Sequence, residues 1–491
     1  MVENGLQPDF SPEAIAESEK IAGPVERGGD GVRDLTGLAW CSIDNDDSRD
    51  LDQLTVANPA AAGGPITVFV AVAYVTALVP AGSALDDHAV ANTTSVYTPP
   101  AVFPMLPERL STDLTSLGED VDRFAMVIEL TVDAEGRMTA SSIYPAMVRN
   151  KAKLAYPGVG SWLENGGEMP QAMAAVPGLA DNIRLQDEVA QRLRARRHEL
   201  GALELETIEV RPRFEGEMVA ALLPERRSRS KELIEDFMIA ANGAIARFLG
   251  SKRFPVMRRV VRTPERWPRI VEIADALGEK LPEKADPRAL NEFLQKRRAA
   301  DPVRFPDLSL SIIKLLGRGE YVASFPDEKV EGHFGLAASE YTHSTAPNRR
   351  YPDIITQRLL GAAIAGEPAP YGRDQLEALA VHCTKKEDDA QKVERLTRKS
   401  AAACLLSSRI GEEFDGVVTG ASEKGTWARI FDPPVEGRIE HGASGLDVGD
   451  RVHVKLVHTD CERGFIDFAA LNRPGAAPRD GHRGSSGAGS P

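Results

Sequence analysis

Residues 43–52 read IDNDDSRDLD, and this acidic stretch between two apolar runs decides how the rest of the chain is interpreted. Half of its residues are aspartates, namely Asp44, Asp46, Asp47, Asp50 and Asp52. The flanking runs, LAWCSI and LTVA, are typical of buried strands, so the aspartates are predicted to lie on the short loop between them. Like charges on one loop repel each other unless a cation neutralises them. A divalent cation with hard oxygen ligands is the usual partner of such a cluster.

The aspartate loop allows three interpretations, which the residue spacing helps to separate. The first is a solvated acidic turn. The second is a calcium loop of EF-hand type, but Arg49 stands where that loop needs glycine and Thr55 stands where it needs a bidentate glutamate. The third is a catalytic magnesium site, which needs fewer protein ligands because Mg²⁺ keeps waters and takes oxygens from a substrate phosphate. Asp44, Asp50 and Asp52 can converge on such an ion, with Mn²⁺ as the alternative metal.

Length and composition indicate a protein with an extensive core and an acidic surface. The chain has 491 residues, 42% of them hydrophobic, and a formal net charge of −14. This charge argues against a protein coated with basic surface, although a narrow basic channel can lie inside an acidic shell. Nothing in the sequence indicates oligomerisation, so we expect a monomer.

Cysteine usage and the N-terminal residues predict a cytoplasmic protein with no membrane partner. The cysteines, Cys41, Cys383, Cys404 and Cys461, form no CxxC pair, so neither a structural zinc site nor a disulfide framework is expected. Reduced thiols fit a cytoplasm. The N-terminus has no basic segment followed by an apolar one, and the longest apolar run, which begins at Ile66, is too short to span a bilayer.

The period of the apolar residues changes twice along the chain, which predicts an α+β protein. Residues 1–33 are polar and are predicted to be an extension with one short helix around SPEAIAESEK. Strand patterns dominate from about residue 35 to 156, with a hairpin predicted at VDAEGRM. Helical spacing then prevails. The clearest helix, KELIEDFMIAANGAIARFLG, has apolar residues at Leu233, Ile234, Phe237, Met238, Ala241 and Ile245.

The last part of the chain is predicted to form a small OB-type β-barrel over residues 411–472. Five short strand patterns occur there within about 60 residues, which is the size of such a barrel. Residues 34–408 are assigned to one large mixed domain. The tail, residues 473–491, is rich in Gly, Ser and Pro and is expected to be disordered.

The aspartate loop resembles the active-site loop of the RNase II/RNase R (RNB) family of exoribonucleases. That loop has the form I-D, five residues, D-x-D-D. Here Ile43-Asp44, then NDDSR, then DLDQ matches it at three aspartates, and Gln53 stands at the fourth position. The resemblance extends through most of residues 35–410. It includes PMLPERLS, which is quite specific, and the segments LIEDFMIAAN, APNRRYPDIITQRLL and HCTKKEDDAQKVERLTRK.

This resemblance implies a fold and an activity. The expected fold is α+β, with a large mixed RNB-type catalytic domain followed by a small OB-type barrel. We expect a short form without N-terminal cold-shock domains, because only about 33 residues precede the catalytic domain. The implied activity is Mg²⁺-dependent, processive 3′→5′ hydrolysis of single-stranded RNA, which releases nucleoside 5′-monophosphates. A nucleotide cofactor is not expected, because no GxGxxG follows a predicted strand.

Metal ligands follow from positions in the family motif. Asp44, Asp50, Asp52 and Gln53 are the implied ligands, and Asp52 can also orient the attacking water. The Gln53 side chain offers an oxygen without a charge, so metal affinity and rate depend on this substitution. Asp46 and Asp47 match variable positions and are expected to be solvated.

Two further residues match catalytic positions of the family. Arg349 in APNRRYPD matches a phosphate-contacting arginine, and a guanidinium can bind phosphate oxygens bidentately. The alternative for Arg349 is a helix-start arginine paired with Asp353. Glu394 in KVERLTRK matches an acidic residue near the scissile phosphate, and its alternative is a solvated glutamate paired with Arg398.

Substrate-binding residues are also implied by the resemblance. Tyr156 and Tyr97 match tyrosines that contact the RNA, where base stacking is worth about 1–3 kcal/mol for any sequence. Leu205 stands where the family has a third aromatic residue, so a weaker grip on RNA is expected. Arg350 is interpreted as structural or as a weaker backbone contact, and Trp427 as a base-stacking residue of the barrel. Each aromatic residue could instead belong to the core.

Two questions stay open at the level of sequence. Basic segments such as RRSRSK (226–231), MRRVVR (257–262) and QKRR (295–298) could be solvated faces or could together line an RNA channel. Gln53 and Leu205 also allow a rival hypothesis from another class. In that hypothesis the chain is an RNA-binding protein that keeps the fold but has weak or lost catalysis.

Overall fold

In the computed structural model, a mixed sheet forms from the part of the chain that the sequence predicts to be rich in strands. The first strands are β1 (Arg33–Asp34), β2 (Cys41–Asp44), β3 (Gln53–Asn58), β4 (Ile66–Ala73), β5 (Val96–Tyr97), β6 (Val102–Phe103), β7 (Asp122–Val132), β8 (Met138–Arg149) and β9 (Ala152–Ala155). The sheet has the order β1-β8-β7-β4-β3-β2-β9, and β5 pairs with β6 separately. The pairs β1–β8 and β2–β9 are parallel, and the other neighbours are antiparallel. The central strand β4 is buried at every residue except Thr67, as expected for a strand covered on both faces.

The chain divides into two units. The structure describes residues 1–25, 31–58, 64–207, 209–215, 218–225, 227–302, 304–329, 331–446 and 450–472, so the predicted disordered tail lies outside the described residues. The first unit comprises residues 1–206 and 226–394, and the second comprises residues 207–225 and the chain from residue 395 onward. The predicted domain boundaries at 33/34 and 408/411 stay predictions.

The helices follow the predicted periods and begin at recognisable caps. Ser11 caps the first helix by accepting the Ala14 N–H at 3.1 Å, and Pro12 occupies its first position. None of the helices in the described ranges is long and apolar enough to cross a bilayer. Their bounds are α1 (Pro12–Lys20), α2 (Ala84–Asn92), α3 (Tyr156–Asn165), α4 (Gln171–Ala174), α5 (Leu179–Glu199), α6 (Arg229–Ser251), α7 (Trp267–Ala276), α8 (Pro287–Ala300), α9 (Phe305–Leu316), α10 (Tyr351–Ala365) and α11 (Arg373–Leu406).

The clearest local predictions are confirmed. Helix α6 buries the predicted stripe except for Met238, which is half-buried, and Phe237 and Ala241 are fully inaccessible to solvent. The helix runs one residue beyond the predicted end at Gly250. The predicted hairpin joins β7 and β8. Its turn contains Gly136 at φ 72°, and a Cβ at that position would collide with the backbone carbonyl of Arg192 on α5. A residue without a side chain is therefore required there.

Strand pairing brings the aspartate loop beside the start of α3. Strand β2 lies parallel to β9, with Asp44 opposite Ala155. Because α3 begins at the next residue, Tyr156, that tyrosine lies close to the end of β2. The remaining strands of the first unit, β12 (Val256–Val260) and β13 (Glu320–Ser324), pair antiparallel with each other.

The second unit contains a closed barrel, which confirms the prediction of five short strands folding together. The barrel strands are β14 (Glu413–Ser422), β15 (Gly425–Ile430), β16 (Glu436–His441), β17 (Arg451–Asp460) and β18 (Phe465–Asn472), in the closed order β14-β15-β16-β18-β17. Strands β10 (Glu209–Glu215) and β11 (Met218–Glu225) form a hairpin in the same unit, and Leu222 packs into the barrel's apolar cluster. Trp427 is half-buried between the buried residues Thr426 and Ala428. Because strand side chains alternate, Trp427 lies on the outer face of the barrel.

Candidate active site

The aspartate loop runs from the end of β2 to the start of β3 and is held in place by Ser116. The Leu51 N–H donates to the Ser116 hydroxyl oxygen at 3.0 Å, and that hydroxyl donates to the Arg49 carbonyl at 2.7 Å. Asp46 and Asp47 are exposed at the tip of the loop, as predicted for solvated positions. The loop therefore separates into an outer acidic part and an inner part that ends at β3.

Asp52 is the buried carboxylate of this site. It is 2% exposed, and its two oxygens accept the Asn348 N–H at 2.9 Å and the Arg349 Nε–H at 3.2 Å. Burial raises the pKa of Asp52 to about 7, even though the Arg349 charge and the Asn348 N–H pull it down. With this pKa, Asp52 occurs in both its protonated and its ionised form near neutral pH. Groups with strongly shifted pKa values are frequent in active sites.

The turn before α10 supplies the partners of Asp52. Asn348 is fully buried, and its Oδ1 accepts the Thr115 hydroxyl at 2.5 Å. Asp353, also fully buried, accepts the Ala346 N–H and the Arg350 guanidinium, each at 2.8 Å. Arg350, and not Arg349, is thus the partner of Asp353. The interpretation of Arg349 as a helix-start arginine paired with Asp353 is therefore wrong, because Arg349 is directed to Asp52.

Asp44 and Asp50 add two further carboxylates beside the same guanidinium. Asp44 is half-buried and accepts the Asn45 N–H at 2.7 Å. Burial raises the pKa of Asp44 and the charge of Asp50 adds to this effect, whereas the Asn45 N–H and the Arg349 charge oppose it. Arg349 interacts electrostatically with Asp44, Asp50 and Asp52. The three carboxylates therefore lie on one loop and all interact with the same guanidinium.

Tyr97 connects the aspartate loop to α11. Its hydroxyl donates to Asp50 at 3.1 Å, and its backbone N–H donates to the Glu394 carboxylate at 2.9 Å. The Tyr97 side chain is 40% exposed, so the ring remains accessible to a ligand. Tyr156, the first residue of α3, lies near Asp44. Burial and the charge of Asp44 raise the pKa of Tyr156. The predicted residues Tyr97, Tyr156 and Glu394 are thus brought together with the aspartates.

The remaining predicted residues, Gln53, Leu205 and Trp427, lie in three different surroundings. Gln53 directly follows Asp52, begins β3 opposite Val72 and is half-buried. Leu205 packs against the apolar cluster that α7, α8 and α9 form around Trp267, and not against the aspartate loop. Trp427 lies in the barrel of the second unit. The functional roles of all these residues stay predictions.

Many of the basic residues predicted to line a channel form ion pairs within the first unit. The paired residues come from the predicted basic segments, although Arg226 lies outside the described ranges. The pairs are Arg227–Glu235, Arg229–Asp187, Arg259–Glu387, Arg262–Glu320, Lys296–Glu279 and Arg298–Glu204. Each pair leaves less positive charge for an RNA backbone, so the channel stays a prediction.

The donor chemistry of the aspartate loop fits a hard divalent cation. Asp44, Asp50 and Asp52 offer carboxylate oxygens and Gln53 an amide oxygen, and the negative charge of the three aspartates exceeds the positive charge of Arg349. Across the described ranges, no group of three or more His, Cys, Asp or Glu side chains is placed so that it could hold a metal ion. The fit is therefore one of donor chemistry, since Mg²⁺ usually binds through one or two carboxylates together with waters and substrate phosphates.

Three positioning residues were not identified from the sequence. They are Asn348, whose N–H reaches Asp52, together with Thr115 and Ser116, which hold Asn348 and the loop. Asn348 contacts Asp52 through its backbone N–H, which every residue except proline has, so its side chain gave no signal for that role. Thr115 and Ser116 gave no signal either, since buried hydroxyl residues in a loop are common.

Comparison with protein families gives two matches that together cover most of the chain. The model of the RNB domain matches residues 32–366, and the model of the RNase II-type exonuclease C-terminal S1 domain matches residues 412–471. Ribonuclease R of Thermotoga maritima is 31% identical over 94% of this chain and 68% of its own length. Ribonuclease R of Escherichia coli is 29% identical over 91% of this chain and 58% of its own length.

Solved structures share the fold at low sequence identity. RNase R of Mycoplasma genitalium, in complex with ribose methylated single-stranded RNA, matches with a TM-score of 0.87 at 23% identity, covering 96% of this chain and 77% of that chain. The same protein has also been solved with double-stranded RNA, and there the TM-score is 0.85. Yeast Ssd1, described as a pseudonuclease, matches with a TM-score of 0.69 at 18% identity, covering 89% of this chain and 54% of that chain.

Proposed function

The chain belongs to the RNB-domain family of RNase R-like 3′→5′ exoribonucleases, and on that premise we propose that it hydrolyses single-stranded RNA from the 3′ end and releases nucleoside 5′-monophosphates. The chain spans 58–68% of the length of the two ribonuclease R relatives compared above. The observation that carries the proposal is the buried Asp52 carboxylate, which Asn348 and Arg349 hold beside Asp44 and Asp50.

The residues of the site suit the demands of phosphodiester hydrolysis. A water must be oriented and lose a proton, and negative charge on the phosphate must be neutralised. Asp52, with its pKa raised to about 7, can accept a hydrogen bond or a proton from that water. The Arg349 side chain is 41% exposed, so it can reach a phosphate oxygen while its Nε remains close to Asp52. Glu394 is proposed to assist near the scissile bond and is held by the Tyr97 N–H.

Asp44, Asp50, Asp52 and Gln53 are proposed to hold Mg²⁺ or Mn²⁺. The bound ion would lower the pKa of a coordinated water and offset charge on the phosphate. Burial, which raises the pKa of Asp44 and Asp52, disfavours their ionised forms in the metal-free site. With such a cation bound, Asp44 and Asp52 would be held in their ionised forms, so metal binding would release protons.

Aromatic side chains are proposed to bind the RNA. Tyr97 and Tyr156 flank the aspartates, and stacking on each ring is worth about 1–3 kcal/mol without regard to sequence. Trp427 offers an outward ring on the barrel for the same purpose. Leu205 has no aromatic face and packs against apolar side chains, so we expect a weaker grip and lower processivity. Arg350, which is held by Asp353, is expected to contact RNA only weakly.

A second function is favoured by Gln53. Replacement of a family aspartate by an uncharged amide weakens a metal site. The fold also occurs in yeast Ssd1, described as a pseudonuclease. The alternative is therefore an RNA-binding protein with weak or lost catalysis, which keeps Tyr97, Tyr156 and Arg349 for binding.

One experiment separates the two functions. Single-stranded RNA labelled at its 5′ end is incubated with the protein and Mg²⁺ or Mn²⁺, and RNA binding is measured in parallel. The wild-type protein is expected to shorten the RNA progressively, and Asp52→Asn is expected to slow this by about 10²–10⁴-fold. Asp46→Asn, the same change at an exposed position of the same loop, serves as the matched control and should cleave normally. If the wild-type protein binds RNA but shortens none with any of several divalent ions, the alternative function stands.

A further inference from the structure

The N-terminal residues, which precede the family match at residue 32, pack on the first unit instead of extending from it. Helix α1 lies against α2, where the Leu85 N–H donates to Glu17 at 3.1 Å. The ring of Phe10 lies 4.2 Å from the ring of His88 on α2, measured between centroids. Described residues of the predicted extension therefore contact α2 within this unit, and the contacts nearest the catalytic residues come from residues 1–10.

Leu6 belongs to a small apolar cluster next to the proposed site. It is 2% exposed and packs with Val96, Ala390 and Val393, each of them buried. Val96 directly precedes Tyr97, and Val393 directly precedes Glu394. The Leu6 side chain therefore packs against both chain segments that carry the Tyr97–Glu394 hydrogen bond.

Gln7 adds a pair of hydrogen bonds to the same region. Its N–H donates to Asn92 Oδ1 at 2.8 Å, and its carbonyl accepts from Asn92 Nδ2 at 2.7 Å. Asn92 is 1% exposed and ends α2. The reciprocal bonds thus fix the start of the segment that leads from α2 to Tyr97.

The 92–97 segment is in turn bonded to the catalytic turn. The Ser95 N–H and the Thr94 hydroxyl both donate to the Arg349 carbonyl, at 3.0 and 3.1 Å. The Thr93 carbonyl accepts the Tyr351 N–H at 2.8 Å. A displacement of this segment would therefore move the backbone of Arg349 as well as Tyr97.

We propose that residues 1–10 are a positioning element of the active site, with Leu6 and Gln7 holding the 92–97 segment so that Tyr97, Glu394 and Arg349 keep their places. The expected effect on catalysis rests on the proposed function, whereas the positioning of the 92–97 segment does not depend on that function. Leu6 and Gln7 touch no reacting group in this arrangement. They act through the residues that do.

Leu6→Ala tests the proposal, with Leu376→Ala as the matched control. Leu376 is fully buried on α11, the helix that also carries Ala390 and Val393, but it belongs to the large core cluster. Hydrogen exchange of peptides covering residues 93–103 is measured by mass spectrometry, together with kcat/KM on single-stranded RNA. In Leu6→Ala, residues 93–103 should exchange about tenfold faster, because that segment opens locally. In Leu376→Ala, compared at equal global stability, the same residues should not exchange faster.

The catalytic readout has its own controls. We expect Leu6→Ala to lower kcat/KM about tenfold, since small displacements of catalytic groups slow reactions strongly. Leu6→Met, which restores apolar volume, should recover most of this loss, and Leu376→Ala should retain wild-type kcat/KM per folded molecule. Equal exchange of residues 93–103 in the two alanine variants would overturn the inference even if the protein degrades RNA. A wild-type protein that fails to degrade RNA would overturn the proposed function but leave the exchange test valid.

Discussion

The aspartate loop of the first unit and the barrel of the second unit each pair carboxylates with a cationic side chain, but they differ in exposure to water. Asp52 is 2% exposed, and burial raises its pKa to about 7 although Arg349 lies 3.2 Å away. On the barrel, His453 is half-buried, with 41% of its side chain exposed, and it hydrogen-bonds to Asp415 at 2.9 Å and Glu413 at 3.1 Å. These carboxylates raise the pKa of His453.

The difference shows which physical term dominates in each region. At the barrel surface water solvates each charge, so the partner decides the direction of the pKa shift. At Asp52 the loss of water outweighs the attraction of a neighbouring guanidinium. Exposed ion pairs add little stability, whereas a buried charge must be held by surrounding hydrogen bonds. The buried cluster is therefore the place where substitutions should have large effects.

After Asp52→Asn, the largest effect is expected for Arg349→Lys. Lysine keeps the charge but loses the planar guanidinium that can hold Asp52 and a phosphate oxygen at once. We expect the rate of RNA shortening to fall about 10²-fold, comparable to the loss of one electrostatic donor in other enzymes. Arg149→Lys, in an exposed pair with Asp122, is the control and should leave the rate unchanged. An unchanged rate in Arg349→Lys would remove Arg349 from the reaction.

Asp353→Asn should mainly reduce stability. The substitution leaves the Arg350 guanidinium, which is 23% exposed, without its charged partner. It also weakens the hydrogen bond that the Ala346 N–H donates to Asp353. We expect a loss of about 2 kcal/mol in the free energy of unfolding, less than for a fully buried pair. Urea denaturation of this variant beside Asp122→Asn, which breaks an exposed pair, measures the difference. Equal losses in the two variants would contradict the contrast between buried and exposed pairs.

Gln53→Asp should strengthen metal binding. The substitution adds a carboxylate beside Asp52 and restores the fourth aspartate of the family motif. We expect the dissociation constant for Mn²⁺ to fall about tenfold, because ligand charge tunes affinity at such sites. Calorimetric titration measures it, and Asn58→Asp, at the exposed far end of β3, adds the same charge away from the site. If both variants bind Mn²⁺ equally, Gln53 does not face the metal.

The smallest effect is expected for His453→Gln, and it should depend on pH. Because the folded-state pKa of His453 is raised, its contribution to stability is fully present below the unfolded value of about 6.5 and is lost as pH rises through the folded-state value. His453→Gln should therefore lower the denaturation midpoint at about pH 5.5 and leave it unchanged at about pH 9. Removing both carboxylates with Glu413→Gln and Asp415→Asn should abolish the difference, as a double-mutant cycle can show. A midpoint that drops equally at both pH values would mean that the ion cluster is not the cause.

Local patterns made much of the fold predictable. The apolar stripe of α6, the short helix around SPEAIAESEK and the hairpin turn at Gly136 each depend on residues within a few positions of one another. The barrel strands follow from alternation in the same way. The aspartate motif predicted Asp44, Asp50 and Asp52 as site residues, and the APNRRYPD segment predicted Arg349 through the family resemblance, because short motifs are visible in the sequence.

Other features could not be predicted because their contacts join distant parts of the chain. The Asn348 N–H reaches Asp52 across 296 residues, and no local preference encodes that meeting. The family motif separated the roles of Arg349 and Arg350 but gave the correct partner of neither, and only the packed turn pairs Arg349 with Asp52 and Arg350 with Asp353.

By itself the sequence determined the types of secondary structure, the barrel and the identity of the acidic residues, since these depend on short-range periodicity and residue chemistry. Tertiary structure alone decided that Asp52 is buried and that its pKa rises to about 7. It alone also decided that Leu6 packs with Val96 and Val393, which directly precede Tyr97 and Glu394. The physical reason is that burial and long-range hydrogen bonds are properties of the assembled chain, and they depend on which distant segments exclude water from one another.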